Sequence, residues 1–409
     1  MEEAVLCWRE KIGDAAWGRL LARLAEVNRD VRTRGIRSFR NRVDLVTGYA
    51  YDEFYDWDLY FENIYLSYYG VSRFCRNNLE AFLDQQLECG FVARTLINPR
   101  WRQHFKPFLA QIALLGCRQT GHYRWLQTKY YKRLIKYLDY WSWYCDFDRN
   151  GLSVWDSADH SGMDNQDSRA GALYAMAVEG VDLNCYLVRE WQAMQVLAEQ
   201  LGRAGDKAEF EAHAARLAAR INEVFWDETD GFYYDRHERR GELVRVKSIA
   251  GFIPLWLGIV PPERAARLVR EHLLNEEEFW LPYPIATYAK TEPDYYQERR
   301  GGECNWRGTA WVPTNYMLFH GLLKQGYREV AEDLAYKTFW MVLNEEATRE
   351  YYNAETGCGQ GLNPFWGWST LGYLMPLEYE LGYDPTDLEN ENIMAIGMDL
   401  PGIAFDAPA

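Results

Sequence analysis

The spacing of apolar residues is helical along most of the chain, and this constrains the fold more than any other feature. In DKAEFEAHAARLAARINEVFW the apolar side chains recur at steps of four, three, four and four, at Phe210, Ala214, Leu217, Ile221 and Phe225. That period places them on one face of an α-helix. The pattern predicts an all-α protein of about a dozen helices. Similar stripes lie near residues 3–32, 58–69, 73–88, 105–117, 123–144, 182–202, 262–273, 308–323, 326–343 and 367–380.

The segments between the stripes contain turns and long loops, and no βαβ unit. At 225–235 the pair Asp230-Gly231 signals a tight turn or hairpin. Long loops in a compact domain are commonly functional, and three are predicted here, at 145–169, 275–307 and 345–366. No linker interrupts the chain, so we expect a single domain over residues 1–409. An irregular bundle and a ring of helical hairpins with converging loops both fit this pattern.

Charge and cysteine content exclude several kinds of function. The net charge of −15 argues against a nucleic-acid or membrane-surface partner, and no apolar run is long enough for a membrane span. The acidic, amphipathic start does not fit a secretory signal. The eight cysteines are scattered without a CxxC pair, so we expect buried thiols in a reducing cytoplasm. No phosphate loop or metal-ligand spacing is present, so neither cofactor nor metal is expected.

Aromatic residues make up 16% of the chain, with 17 Trp and 29 Tyr. Flat amphipathic rings can wall a concave site in which the C–H faces of a sugar stack on indoles. The alternative is a core that is simply rich in aromatic side chains. Composition alone does not choose between a small carbohydrate site and an aromatic core.

Four segments combine carboxylates, amides and aromatic rings near predicted helix ends. Hydrolysis of a glycoside needs one protonated carboxyl group and a second carboxylate, and it needs no cofactor. Taken singly, each cluster has a structural explanation: Asp56 fits a helix cap, and a lone Glu350 or a loop Asp164 is more often solvated than catalytic. The segments are residues 49–65, 155–169, 301–316 and 349–370.

The motifs in these segments resemble the clan of inverting α-glycosidases that contains glycoside hydrolase family 63 and the family 37 trehalases. The resemblance rests on SGMDN (161–165), VDLN (181–184), NWRGTAWVPTNYMLFHGL (305–322), EYYNAETG with WGWSTL (350–371), YDEFYDWDLYF (51–61) and HFKPFLAQ (104–111). It implies an (α/α)6 barrel, a toroid of six helical hairpins whose long loops form the pocket. A lone barrel of this size resembles the mannosylglycerate and glucosylglycerate hydrolase branch.

The resemblance also assigns roles to individual residues. Asp164 matches the general acid and Glu350 the general base, while Trp57 and Asp58 match the pair that lines the subsite of the cleaved sugar. Asp182 and Asn184 match a helix start, which we interpret as structural. The other predicted substrate-binding positions are Tyr51, His104, Gln111, Trp155, Gly162, Met163, Arg169, Trp306, Arg307, Trp311, Gln360 and Trp366.

These roles predict an inverting hydrolase of a small α-glucoside or α-mannoside, such as glucosylglycerate or mannosylglycerate. The two catalytic carboxyl groups should lie roughly 6.5–9.5 Å apart, which leaves room for the attacking water. A glycerate aglycone would need a cation, because it carries a carboxylate. The candidates are Arg169, Arg307 and the pair Arg299-Arg300, with the hydroxyls of Tyr295 and Tyr296.

Departures from the family pattern leave the aglycone open. Asp159-His160 precede the Ser-Gly pair where many relatives have Trp-Glu, and Asp167 is added beside the acid. If no arginine reaches the pocket, a neutral disaccharide such as trehalose or kojibiose fits better. Two other classes stay open: a sugar epimerase, which would need a histidine pair such as His104 and His160, and a non-catalytic sugar-binding protein.

Overall fold

The computed structural model describes residues 2–33, 36–37, 44–45, 53–100, 102–171, 177–301 and 304–390. Residues 391–409 lie outside that description, so one domain over 1–409 remains a prediction. Within the described ranges no helix is both long and apolar enough to span a bilayer. The helices are α1 Glu2–Ile12, α2 Asp14–Thr33, α3 Asp56–Tyr68, α4 Arg73–Asp84, α5 Leu109–Thr120, α6 Tyr130–Tyr144, α7 Ala158–Ser161, α8 Asp167–Ala170, α9 Val181–Gln200, α10 Ala204–Val224, α11 Ile253–Leu257, α12 Pro262–Arg267, α13 Val312–Lys324, α14 Arg328–Leu343 and α15 Leu371–Leu381.

Six of these helices form a closed inner ring. In order, α3, α5, α9, α11, α13 and α15 each pack against the next, and α15 returns to α3. The helices α4, α10 and α14 pack against members of this ring. Helix α3 of the ring is covered on all sides, because every one of its residues is buried. On α10, by contrast, the buried residues are Phe210, Ala214, Leu217 and Ile221, which belong to the stripe identified in the sequence.

The ring confirms the all-α fold and the (α/α)6 barrel, with shifts at several helix ends. The single stripe predicted over 3–32 is two helices that meet at Gly13, whose φ of 82° favours glycine. The stripe near 262–273 ends in a π-helical turn, Leu268–Leu273. Two 3₁₀ turns, Arg124–Leu126 and Ile249–Phe252, precede α6 and α11.

The strands are short and lie in the connections. Trp226–Asp227 and Phe232–Tyr233 form the hairpin that the Asp-Gly turn predicted. A four-stranded antiparallel sheet is formed by Val154–Trp155, Val178–Glu179, Asp235–His237 and Leu243–Val244. It was not predicted, because strands of two or three residues show too little alternation. The strands are β1 Ile36–Arg37, β2 Asp44–Leu45, β3 Val154–Trp155, β4 Val178–Glu179, β5 Trp226–Asp227, β6 Phe232–Tyr233, β7 Asp235–His237, β8 Leu243–Val244, β9 Tyr351–Tyr352 and β10 Gly359–Gln360.

A buried ion triad fixes the loop between β3 and α9. Arg169 contacts Asp182 of α9 and Asp235 of β7, each at 3.0 Å, and its side chain is almost fully buried. Asp182 also accepts a hydrogen bond from the indole N–H of Trp155, at 2.9 Å. Arg169 was predicted to bind substrate; instead, both its partners are carboxylates of the scaffold. The structural interpretation of Asp182 agrees with these contacts.

Replacing Arg169 should destabilise the protein strongly. In Arg169→Ala two buried carboxylates lose their partner, and such a loss costs about 3–5 kcal/mol of the free energy of unfolding. Urea denaturation of this variant and of Arg270→Ala measures the difference, since Arg270 is exposed. The control should lie within about 0.5 kcal/mol of the wild type. Equal stability of both variants would contradict a structural role for the triad.

Candidate active site

A pocket lies where the amino-terminal ends of several ring helices meet. It has a volume of about 130 Å³. Its walls come from the start of α3, the loop between β3 and α8, the segment before α13, and the segments before and after β9. The lining residues are Tyr55, Trp57, Asp58, Arg94, Arg100, Asp159, Gly162, Asp164, Cys304, Trp306, Trp311, Glu350 and Trp368.

Asp164 has the environment of a proton donor. Its side chain is 36% exposed, and its Oδ1 atom has no hydrogen-bond partner among the described residues. Burial of the carboxyl raises its pKa to about 6, although Arg94, whose Nη2 lies 3.6 Å from Oδ1, opposes the shift. The carboxyl therefore retains its proton in mildly acidic solution, and its partly exposed side chain lines the pocket.

Glu350, in contrast to Asp164, has a donor beside each of its two carboxylate oxygens. Its Oε2 accepts the backbone N–H of Leu362 at 3.0 Å, and its Oε1 lies 3.4 Å from the thiol sulfur of Cys304. Burial raises its pKa, while these two donors favour the ionised form. Gly361 adopts φ 73°, and a Cβ there would lie 2.4 Å from Glu350 Oε2. Glycine at this position is thus required for the carboxylate to fit.

Asp58 and Asp56 begin the first turn of α3 and differ in their partners. Asp58 lines the pocket, and burial raises its pKa to about 7 against the pull of Lys106 and Arg94. Asp56 is also buried, but Lys106 at 2.8 Å and Arg94 hold its pKa below the ordinary value. Asp56 also accepts the N–H of Trp57, at 2.9 Å. It is the counter-ion of Lys106 as well as a residue of the helix start.

The loop that carries Asp164 is fixed on both sides. Gly162 adopts φ 86°, and a Cβ there would lie 2.7 Å from Lys106 and 2.9 Å from Trp57. This close approach brings the turn against the wall of the pocket. Asn165 accepts the N–H of Trp306 at 2.8 Å and donates to the Tyr296 hydroxyl at 2.8 Å. The loop is therefore held against the segment that precedes α13.

Tryptophans form a continuous aromatic wall. The rings of Trp306 and Trp311 stack at 3.6 Å, and Trp57 lies 5.6 Å from Trp306. Trp368 meets Trp57 edge-on at 6.1 Å. The indole N–H of Trp311 donates to the Asn305 carbonyl at 2.8 Å, which fixes its ring plane. Flat apolar faces beside carboxylates suit a pyranose, whose C–H faces and hydroxyls need both.

The structure brings seven of the predicted residues together in the pocket: Trp57, Asp58, Gly162, Asp164, Trp306, Trp311 and Glu350. Tyr51 lies outside the described residues. Eight others are described but do not line the pocket: His104, Gln111, Trp155, Met163, Arg169, Arg307, Gln360 and Trp366.

The two loop histidines are buried behind the pocket. His104 accepts the N–H of Val92 through Nδ1, and its Nε2 lies 3.1 Å from the Tyr137 carbonyl. Burial lowers its pKa to about 3, so the ring stays neutral. His160 stacks on Trp141, and its Nε2 contacts the carbonyl of His104. Neither histidine lines the pocket, so the pair does not have the placement that an epimerase would need.

Most of the remaining predicted residues serve the scaffold. Gln111 of α5 donates to the Pro107 carbonyl, and Gln360 donates to the Gln297 carbonyl. Arg307 donates to the Asn165 carbonyl and pairs with Asp167 at 3.2 Å.

Trp366 lines a separate small cavity with Arg23 and Tyr373. Met163 is fully buried beside the acid.

Arg94 is the main functional residue that the sequence did not reveal. It lies in GFVARTLINPRW, between predicted helices, where no periodic or motif signal marks it. Its guanidinium contacts Asp159 at 3.2 Å as well as Asp164, and its side chain is nearly buried. Asp159 in turn contacts Arg100 at 3.0 Å. Tyr55, Arg100, Cys304 and Trp368 are further lining residues that were not predicted.

A larger groove, of about 340 Å³, lies on the flank between α6, α9 and α10. Asp146 is the one carboxylate among its lining residues, and its oxygens accept the N–H groups of Asn150 and Gly151. Those lining residues include no second carboxylate to complete an acid–base pair. Among the described residues no group of His, Cys, Asp and Glu is arranged to hold a metal ion.

Comparisons with known proteins show the family to which the chain belongs. Residues 51–369 match the family described as the mannosylglycerate hydrolase MGH1-like glycoside hydrolase domain. The mannosylglycerate hydrolase of Rubrobacter radiotolerans is 30% identical over 46% of this chain and 41% of its own length. That of Thermus thermophilus is 32% identical over 36% of this chain and 33% of its own length. The aligned stretches thus span less than half of these relatives.

Two solved structures share the fold. A GH63 mannosylglycerate hydrolase of Thermus thermophilus, in complex with glucose, superposes with a TM-score of 0.70 at 23% identity and covers 87% of this chain and 99% of that one. The neutral trehalase Nth1 of Saccharomyces cerevisiae gives 0.63 at 16% identity, over 87% of this chain and 79% of that one. The match over residues 51–369 shows that this chain belongs to the MGH1-like glycoside hydrolase family.

Proposed function

We propose that this protein is an inverting α-glycosidase that hydrolyses a small α-glucoside or α-mannoside, such as glucosylglycerate or mannosylglycerate. The observation that carries the proposal is one tryptophan-walled pocket with two carboxyl groups in contrasting environments. Burial raises the pKa of both groups, but Glu350 accepts two hydrogen bonds that favour its ionised form, whereas Asp164 Oδ1 has no hydrogen-bond partner in the described part of the chain. This contrast separates an acid from a base.

Each carboxyl group then has one task. Asp164 gives its proton to the glycosidic oxygen as the bond to the anomeric carbon breaks. Glu350 takes a proton from a water molecule that attacks the opposite face of that carbon, so the configuration inverts. Asp58, buried in the first turn of α3, binds sugar hydroxyls, and the indoles of Trp57 and Trp306 stack on the ring.

The aglycone should lie on the side of the acid, because Asp164 protonates the leaving oxygen. Arg100 is 43% exposed there, lines the pocket and pairs with Asp159 at 3.0 Å. Arg94, by contrast, is nearly buried and contacts the three carboxylates of Asp56, Asp159 and Asp164. We therefore assign Arg100 to the carboxylate of a glycerate aglycone, in place of Arg169 and Arg307, which bind scaffold groups. The names of the mannosylglycerate hydrolase relatives support an acidic aglycone.

A neutral disaccharide is the second candidate. Cytosolic neutral trehalase of Kluyveromyces lactis is 30% identical over 32% of this chain and 17% of its own length. The pocket is also rich in carboxylates, namely Asp58, Asp159, Asp164 and Glu350. These oxygens accept hydrogen bonds from sugar hydroxyls as readily at an aglycone subsite as at the site of the cleaved sugar.

Removing the acid should abolish most of the turnover. Asp164→Asn keeps the shape of the side chain but has no proton to give, so kcat should fall by about 10²–10⁴-fold. Release of sugar from glucosylglycerate, mannosylglycerate, trehalose and kojibiose is followed by NMR, which also reports the anomer. Asp333→Asn, on the exposed surface of α14, is the control. Activity of the Asp164 variant equal to that of the wild type would refute the assignment of Asp164 as the acid. Binding of a sugar without turnover by the wild type would favour a sugar-binding protein.

The pH profile of kcat/KM should be a bell with its alkaline limb near pH 6. Asp164 donates only while protonated, so activity falls as pH rises through its pKa of about 6. Glu350 accepts only while ionised, so activity also falls as pH drops through its own pKa, which burial raises. Initial rates between pH 3 and 9 measure both limbs. A rate that stays constant from pH 5 to pH 8 is incompatible with this pair of roles.

The aglycone assignment predicts a selective loss of affinity. Arg100→Gln should raise KM for an α-glycoside of glycerate by about tenfold or more, because one charge-assisted hydrogen bond is lost. KM for the neutral glycerol analogue should change less than threefold. Arg300→Gln serves as the matched control, since Arg300 lies over the ring of Tyr296 and does not line the pocket. If Arg300→Gln raised KM for the glycerate glycoside selectively and Arg100→Gln left it unchanged, the aglycone subsite would instead lie at the 295–300 loop.

A further inference from the structure

The thiol of Cys304 lies in the pocket against the base. Its sulfur is 3.4 Å from Glu350 Oε1, and the side chain lines the same cavity as Asp58 and Asp164. Building on the function proposed above, we propose that Cys304 is a positioning residue: its thiol donates a hydrogen bond to Glu350 and thereby orients the carboxylate and favours its ionised form. In the sequence this cysteine is indistinguishable from the other scattered thiols.

The surroundings of Cys304 keep the thiol protonated. Burial raises its pKa far above the ordinary value, and the carboxylates of Glu350, Asp164 and Asp58 each raise it further. A thiol in this setting does not ionise at any pH at which a carboxylate base operates. Because an ionised carboxylate can only accept hydrogen bonds, the S–H group is the donor and Glu350 the acceptor.

The two donors on Glu350 act on different oxygens. Leu362 N–H binds Oε2 at 3.0 Å, and Cys304 S–H binds Oε1. Together they fix the plane of the carboxylate, while each oxygen keeps a lone pair for the attacking water. Arg299 also lowers the proton affinity of Glu350, and Asp164 raises it. Cys304 is thus one of a small number of groups that set how readily the base ionises.

The choice of sulfur has a chemical consequence. A thiol is a weaker donor than a hydroxyl, so it stabilises the carboxylate less than serine would and more than alanine would. The base therefore keeps more of its affinity for the proton of water. A series with Ala, Cys and Ser at position 304 should shift the pKa of Glu350 in a fixed order, highest in Ala and lowest in Ser.

The test is the acidic limb of the kcat/KM profile in this series. In Cys304→Ala the limb should move to higher pH by about half a unit to one unit, because one donor to the ionised form is lost. In Cys304→Ser it should move to lower pH. The fall in kcat should exceed any change in KM for the alanine variant, and serine should restore kcat. Cys358→Ala is the control, because Cys358 is exposed in the neighbouring β9–β10 segment.

A second readout separates this proposal from the proposed function. Carbon-13 NMR of protein labelled at glutamate carboxyls, with Glu350→Gln to identify the signal, gives the pKa of Glu350 without any substrate. The order Ala, Cys, Ser in that titration supports the positioning role even if every tested glycoside proves inert. Superimposable titrations in the wild type and the alanine variant, with an intact circular dichroism spectrum, would overturn it. The serine variant, which is close in size, keeps the test decisive if the alanine variant does not fold.

Discussion

The cost of burying carboxylates in one small pocket governs the arrangement of the site. Asp56, Asp58 and Glu350 are buried, and Asp164, which lies 3.6 Å from Arg94, lines the same pocket as Asp58 and Glu350. Charges removed from water need partners, and Arg94 and Lys106 provide them. These two cations are fewer than the four carboxyl groups. Asp56 is consequently kept ionised, whereas Asp58 and Asp164 retain their protons to higher pH.

The closed ring of helices makes this crowding possible. Residues near positions 57, 164, 306 and 350 are far apart along the chain, yet each lies in the first turn of a helix or in the segment before one, and these helix starts meet at one end of the barrel. The amino-terminal end of a helix favours negative charge, because its backbone N–H groups are unpaired. Asp58 lies within the first turn of α3. The fold thus brings these side chains to one end of the barrel and supplies part of the electrostatic field that acts on the carboxyl groups.

Prediction from sequence succeeded where the signal was periodic or carried by a motif. The apolar stripes identified the helices, and the resemblance located Asp164, Glu350 and the tryptophans. Partners that come from distant parts of the chain were not accessible. Arg169 was expected to bind substrate because a glycerate aglycone needs a cation, but its partner Asp235 lies 66 positions further along the chain. Arg94 was missed for the same reason, because the three carboxylates that it contacts, Asp56, Asp159 and Asp164, come from other segments of the chain.

The ion triad of Arg169 has a consequence for how the protein loses activity on heating. It links the short helix α8, just after Asp164, to the start of α9 and to β7 of the four-stranded sheet. Loops that carry catalytic groups commonly open locally, at a free energy well below that of global unfolding. Here the loop that carries Asp164 cannot separate from the barrel unless the buried carboxylates of Asp182 and Asp235 lose their contact with Arg169. Thermal inactivation should therefore coincide with the cooperative melting of the whole ring, with no earlier step in which the barrel remains folded and the acid is displaced.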